Sequence, residues 1–362
     1  MKKVIIFMPS IEGGGVEKNL FIVTNYLSKK IQNLSLITIS KKYKKKFNNS
    51  VNLITCKSGI WDKFPRKFKY FLSLFLLLKE ILKNKKIIVF AFQANIYCIM
   101  LCKIFNVKII VRSNSAPAGW SKNFIKRAIF RFFLNKADKI MANSFEFVYS
   151  LKKEFNVKAT CIYNPLNIIE IKSKSKFRSR KFYKNKNLRI LNIGRFTDQK
   201  DQMTLLKALK NLSNKVNFEA IIVGRGIRKQ KLINFIHQNK LENKIKLVNF
   251  LNNPYPIIRQ CNLFILSSKF EGLPNVLLES ISLNKFVISS NCPTGPKEIL
   301  LNGKGGLLFE TKNSDDLEKK IIFFIKNKKK CNNMLRIAKK NLDRFDYNKN
   351  LLKYYKLIQT IN

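Results

Sequence analysis

Acidic residues are what this sequence most lacks: its 362 residues include 21 Asp and Glu against 71 Lys and Arg, a formal net charge of +50. An imbalance of that size excludes a neutral surface and calls for an anionic partner: phosphate, nucleic acid or a negatively charged membrane face. Compositional drift toward Lys, Asn and Ile accounts for part of it, but the same drift would also enrich Glu, and acidic residues stay scarce. Histidine occurs once, as His237, far in sequence from the neighbouring Cys98 and Cys102, which argues against a zinc site. The seven cysteines (Cys56, Cys98, Cys102, Cys161, Cys261, Cys292 and Cys331) contain no C-x-x-C pair, and their odd number leaves one unpaired in any monomer. They read as core thiols in a reducing cytoplasm. Long apolar runs are missing too. The strongest, YFLSLFLLLKEIL at 70–82, falls short of the roughly 20 residues that cross a bilayer. The opening MKKVIIFMPSI is too short for a signal peptide and lacks a cleavage-like end, so it reads as a buried first strand. No transmembrane helix is expected.

What is present is a folded chain of two-domain length, 46% hydrophobic and 25% charged. Ten short apolar runs alternate with helical patterns: KVIIFMP, LSLITIS, KIIVFAF, VKIIVRS, KIMANS, RILNIGRF, FEAIIVGRG, KIKLVNF, NLFILSS and KFVISSN. Alternating βα units imply parallel sheets covered by helices, and runs apolar throughout suit strands buried on both faces. The composition shifts at 162–189, where Asn164-Pro165 is followed by nine basic residues between Lys172 and Arg189. This stretch reads as a linker between two doubly wound halves, its charge suiting either a solvated loop or an anion site.

Candidate chemistry sits in the turns after strands. In IEGGGVEKNLFIVTNYL, Gly14 and Gly15 precede a helix with Leu20, Val23, Tyr26 and Leu27 on one face; the glycines suit a ligand at the helix's positive end or simply a tight turn. The spacing is not G-x-G-x-x-G, so NAD is not supported. LNIGRFTDQKD sets Arg195 and Lys200 beyond a strand, a fork and a point charge that suit a diphosphate. VGRGIRKQKL brings Gly224 to another such edge, with Arg225 and Arg228 as further cations. In SSKFEGLPNVLLES, Glu271 falls in a loop, Pro274 suits a first helical turn, and Glu279 lies inside the helix. The amides near Asn275 and Val276 would face a phosphate there. A carboxylate such as Glu279 can accept from both hydroxyls of a ribose. Two carboxylates also suit a glycosidase acid and nucleophile, but a loop residue and a helix residue do not establish that separation.

The ordered set GGGVEKN, IYNPLN, NIGRFTDQKD, VGRG, FEGLPNVLLES and CPTGPKEILLNGKGGLLF resembles the retaining glycosyltransferases of family four across nearly the whole chain. The resemblance implies the GT-B fold, two Rossmann-like α/β domains facing a central cleft: residues 1–166 for the acceptor, 167–344 for a nucleotide sugar, and a C-terminal helix at 345–362 packing back on the first. It implies that Arg195 and Lys200 hold the diphosphate, Glu279 the ribose and Glu271 the donor sugar, with Gly14 and Gly15 lining the cleft floor. No metal or other cofactor is implied, since two cations substitute for one. The stretch CPTGPKEIL looks similar to enzymes that use UDP-activated hexoses or N-acetylhexosamines. Many relatives carry a histidine in the first domain; here VRSNSAPAGW occupies the matching stretch, with Arg112, Ser113 and Asn114 as substitutes. His237 reads as a helix-surface residue.

The expected activity is therefore retaining sugar transfer from a UDP-sugar to a saccharide, lipid-linked, in surface polysaccharide or glycolipid synthesis. WSKNFIKRAIFRFFLNK supports a peripheral site on the inner membrane face: Phe124, Ile125, Ala128, Ile129, Phe132 and Phe133 share one helical side and Lys122, Lys126, Arg127 and Arg131 much of the other. A helix packed on a sheet has the same pattern. Two alternatives stand beside this reading. One is a non-catalytic nucleic-acid-binding protein, for which neither a module nor exposed aromatics among cations is evident; the other is a GT-B sugar-nucleotide epimerase.

Overall fold

The computed structural model describes residues 2–56, 58–114, 123–177, 181–184 and 187–361. Two α/β units account for them: Met1–Pro165 with Tyr347–Asn362, and Leu166–Asp346. The crossings fall within two residues of the expected boundaries. Leu166 donates its N–H to the carbonyl of buried Phe345, which keeps both with the second unit.

The first unit is a seven-stranded parallel sheet of order β3-β2-β1-β4-β5-β6-β7: β1 Lys3–Phe7, β2 Leu34–Ile37, β3 Asn52–Ile54, β4 Ile87–Ala91, β5 Lys108–Ser113, β6 Lys139–Ala142 and β7 Thr160–Cys161. In β1 and β4 the apolar residues of both parities are buried, as a sheet covered on two faces requires. Helix α1 (Gly15–Leu27) covers one face. The other is covered by α2 (Arg66–Lys83), α3 (Asn95–Ile104), α4 (Phe124–Lys136) and α5 (Phe145–Phe155).

The expected linker contains a helix. α6 (Ile168–Ser175) is capped by Asn167, whose Oδ1 accepts from the Glu170 N–H at 3.1 Å, and Ile171 is its buried anchor. The lysines that made this segment read as a loop are on its outer side. The second sheet has order β10-β9-β8-β11-β12-β13, again parallel: β8 Leu188–Ile193, β9 Phe218–Gly224, β10 Ile245–Asn249, β11 Leu263–Leu266, β12 Phe286–Ser290 and β13 Leu307–Phe309. Helices α7 (Gln202–Leu212), α8 (Lys229–Gln238), α9 (Tyr255–Gln260), α10 (Asn275–Ser282), α11 (Pro296–Ile299), α12 (Ser314–Lys326) and α13 (Lys328–Lys340) surround it. α14 (Tyr347–Gln359) then packs on α1 in the first unit, burying Leu351, Tyr354 and Ile358.

Arg112, at the end of β5, is fully buried in that packing rather than presented to a sugar. Its guanidinium donates to Tyr354 Oη at 3.3 Å, to Asn164 Oδ1 at 2.9 Å and to Asn114 Oδ1, and lies over the Phe92 ring. It ties the C-terminal helix to the sheet. Of the stretch beside it, residues 115–122 lie outside the described residues.

Asp138 anchors the other end of β5, accepting from the Ile109 N–H at 2.8 Å, from Lys103 at 2.7 Å and from Lys108 at 3.2 Å. Burial pushes its carboxyl up, but these three donors outweigh burial and hold it below its ordinary value of 3.8. A depressed carboxylate stabilises the fold above its unfolded-state pKa and loses that contribution as pH falls through the folded value. Asp138→Asn should therefore cost about 2 kcal/mol at pH 7, and its deficit against wild type should shrink below about pH 4, measured by urea unfolding across pH.

Candidate active site

In the second sheet β8 lies between β9 and β11, so the strand order reverses there. Loops leaving the carboxyl ends of β8 and β11 are neighbours, and open α/β sheets take ligands at such a point. The β8 loop carries Arg195 and Lys200; the β11 loop carries Glu271 and leads into α10. Pro274 is the N-cap of α10, one residue ahead of the expected first turn, and Asn275 and Val276 form its half-buried start. Glu279 is buried one turn further on.

Lys200 and Glu271, 71 residues apart, meet directly: Nζ lies 2.5 Å from Oε1, with the side chains only 17% and 8% exposed. Ser268 Oγ donates to the same carboxylate oxygen at 2.6 Å, and Thr294 Oγ1 donates to the Glu271 carbonyl at 2.5 Å. The two loops are stitched along their length. Ser267 Oγ donates to the Lys200 carbonyl at 2.9 Å, Gln199 Nε2 to the Phe270 carbonyl at 3.0 Å, and the Lys269 N–H to the Gln199 carbonyl at 2.8 Å. Ser268, Thr294 and Gln199 were not singled out in the sequence; the hydroxyl pair before Glu271 and the Thr of CPTGPKEIL were the available signals.

Arg195 is exposed, its carbonyl held by Gln202 Nε2 at 3.1 Å. Arg228 is committed elsewhere: it pairs with Asp198 at 2.6 Å, and that hydrogen bond holds the Asp198 carboxyl below its ordinary range. Arg225 lies over the Phe250 ring. Gly224 has a structural reason of its own, since a Cβ there would stand 2.0 Å from the Gly194 carbonyl oxygen where the end of β9 meets the β8 loop. Gly295 is tighter still: at φ +77° its Cβ would meet the Gly272 carbonyl oxygen at 1.9 Å. Cys292, beside the site, is no nucleophile, because burial and then the Glu271 charge push its thiol up to about 12.

Gly14 and Gly15 belong to the first unit, as the N-cap and first residue of α1. There Glu17 reaches back, its Oε2 accepting from the Gly14 N–H at 2.9 Å, so an acidic side chain within the helix caps the glycine turn. His237 is exposed on α8 beside Glu242, at 2.7 Å. Among the described residues no three His, Cys, Asp or Glu side chains are grouped so as to hold a metal ion.

Residues 173–341, nearly all of the second unit, match the family model for glycosyl transferases group 1. The second unit therefore carries the domain of this glycosyltransferase group. An uncharacterized glycosyltransferase of Methanocaldococcus jannaschii is 35% identical over 217 residues, 56% of this chain and 53% of that protein, so this chain spans about half of that relative. A Campylobacter jejuni protein, N-acetylgalactosamine-N,N'-diacetylbacillosaminyl-diphospho-undecaprenol 4-alpha-N-acetylgalactosaminyltransferase, is 27% identical over 88% of both chains. Anabaena HepE, solved with UDP and glucose, superposes with a TM-score of 0.81 at 17% identity, covering 99% of this chain and 100% of that one. At that identity the likeness to HepE shows the fold alone.

The Lys200–Glu271 pair is mostly desolvated, so removing one charge strands the other. Lys200→Met and Glu271→Gln should each lower stability by about 2 kcal/mol, and the double variant should lose less than their sum by about 1 kcal/mol, read from a double-mutant cycle on unfolding midpoints.

Proposed function

We propose that this glycosyltransferase moves a hexose or N-acetylhexosamine, with retention of configuration, from a UDP-sugar to a lipid-linked saccharide at the cytoplasmic face of an anionic membrane. The observation that carries the reading is the Lys200–Glu271 pair at the reversal point of the second sheet, next to the start of α10. An ammonium has three donors, so Lys200 can keep Glu271 and still contact a phosphate. Arg195, exposed on the same loop, supplies a forked contact to the second phosphate. Amides at Asn275 and Val276 add the positive end of α10. Glu279 accepts from the ribose hydroxyls and Glu271 from the donor sugar.

In the transfer the anomeric C1–O bond to the diphosphate breaks, UDP leaves with the electron pair, and an acceptor hydroxyl bonds to C1 from the same side while its proton passes to the departing diphosphate oxygen. The developing negative charge is what Lys200 and Arg195 compensate, which is how a pair of cations serves without a metal ion. The name of the Campylobacter jejuni relative, with its diphospho-undecaprenol substrate, supports a lipid-linked acceptor, and the UDP bound to HepE supports UDP as the nucleotide. Surface polysaccharide or glycolipid assembly is the process these reactants fit.

Thermal unfolding against UDP, GDP, ADP and a short single-stranded DNA tests the reading. UDP at about 100 times its Kd should stabilise by about 2.7 kcal/mol, GDP and ADP by much less and DNA not at all. Glu279→Ala should abolish the UDP shift. Glu271→Ala should keep it while donor turnover falls. Stabilisation by DNA alone, or wild-type behaviour of both variants, would refute the assignment.

A further inference from the structure

The helix layer over the first sheet has an apolar outer surface. α3 packs between α2 and α4, and the three bury Leu77, Ile81, Cys98, Cys102 and Leu134 against the strands. On their solvent side α2 shows Phe71 (68% exposed) and Phe75, α3 shows Met100 and Ile104 (74%), and α4 shows Phe124 (84%) and Phe132. A helix merely packed on its sheet would hide that side of α4. Instead Leu134 is its buried contact, while Phe124, Ile125, Ala128, Ile129 and Phe132 remain exposed. The strongest apolar run of the sequence is likewise divided: Ser73, Leu77 and Ile81 of α2 face inward and Phe71 and Phe75 outward.

Charge on these helices is mostly of one sign. α2 carries five cations, α3 one and α4 four, against one carboxylate of their own, Glu80, bound by Lys3 at 2.6 Å and Lys83 at 2.9 Å; from neighbouring elements Asp138 pairs with Lys103 at 2.7 Å and Glu154 with Arg127 at 3.4 Å. Lys79 lies over the Phe75 ring, 4.6 Å from its centroid, and Lys136 over Phe132 at 5.5 Å. Rings with ammonium groups beside them suit a layer where apolar chains meet anionic headgroups. A second copy of this chain would oppose cation to cation. No helix among the described residues is long and apolar enough to cross a membrane, so the fit is to the surface of a bilayer.

We infer that α2, α3 and α4 together form a docking surface for an anionic lipid bilayer. The inference deepens the proposed function by assigning the face that meets the lipid bearing the acceptor. It is tested without donor or acceptor, so its failure would be separate from failure of the UDP assignment.

The full chain is floated with vesicles of phosphatidylcholine alone and of phosphatidylcholine with about one-third phosphatidylglycerol, at moderate salt. Binding should favour the anionic vesicles by at least about tenfold. Phe71→Ser with Phe75→Ser on α2, and separately Phe124→Ser with Phe132→Ser on α4, should each weaken it about tenfold at an unchanged unfolding midpoint. Lys79→Glu with Lys136→Glu, which leaves the apolar residues in place, should weaken it similarly. Equal binding to neutral vesicles, wild-type binding by the α2 variant, or a dimer in gel filtration that the same substitutions dissociate would each overturn the inference.

Discussion

A parallel sheet covered by helices on both faces has only its strand ends left for chemistry, and both units of this protein are built under that constraint. In the second sheet β8 takes β9 on one side and β11 on the other, so two loops distant in sequence must lie side by side. Everything at the candidate site follows from that adjacency. The turns at these strand ends approach so closely that Gly224 of β9, against the β8 loop, and Gly295 after β12, against the β11 loop, have no room for a Cβ, and serine, threonine and glutamine side chains take up the carbonyls that would otherwise be left buried. The resulting frame holds Lys200 against Glu271 before any ligand arrives, which is the preorganisation that charge stabilisation requires.

Acidic residues are few, and several of them have a specific task. Glu271 is the counterion of Lys200, Asp138 holds two lysines and the start of β5, Glu80 holds Lys3 and Lys83, and Glu17 caps the glycine turn ahead of α1. The remaining charge is cationic, and on the first unit much of it surrounds an apolar helix layer.

The ten apolar runs are all strands. The three strands without such a run, β3, β7 and β13, are two or three residues long, and strands that short are made by their neighbours rather than by their own pattern. α6 was hidden for the opposite reason: its two lysines outnumber its one buried apolar residue, Ile171. Glu271 and Glu279 drew notice because burial of a carboxylate in an apolar segment has to be explained locally. Ser268 and Thr294 did not, because a hydroxyl gains meaning only from the carbonyl or carboxylate that folding brings to it.

The sequence alone thus determined the alternation of strand and helix, the parallel sheets and the group of residues at the strand ends, which depend on neighbours a few residues apart, and the large positive charge, which depends only on composition. Tertiary structure decided the partners. Lys200 meets Glu271 across 71 residues and Arg112 meets Tyr354 across 242, turning an expected pair of separate ligand contacts into one ion pair and an expected sugar contact into an internal clamp. It also decided that the apolar side of α4 stays exposed, because burial depends on what packs against a helix, and no periodicity in a sequence records that.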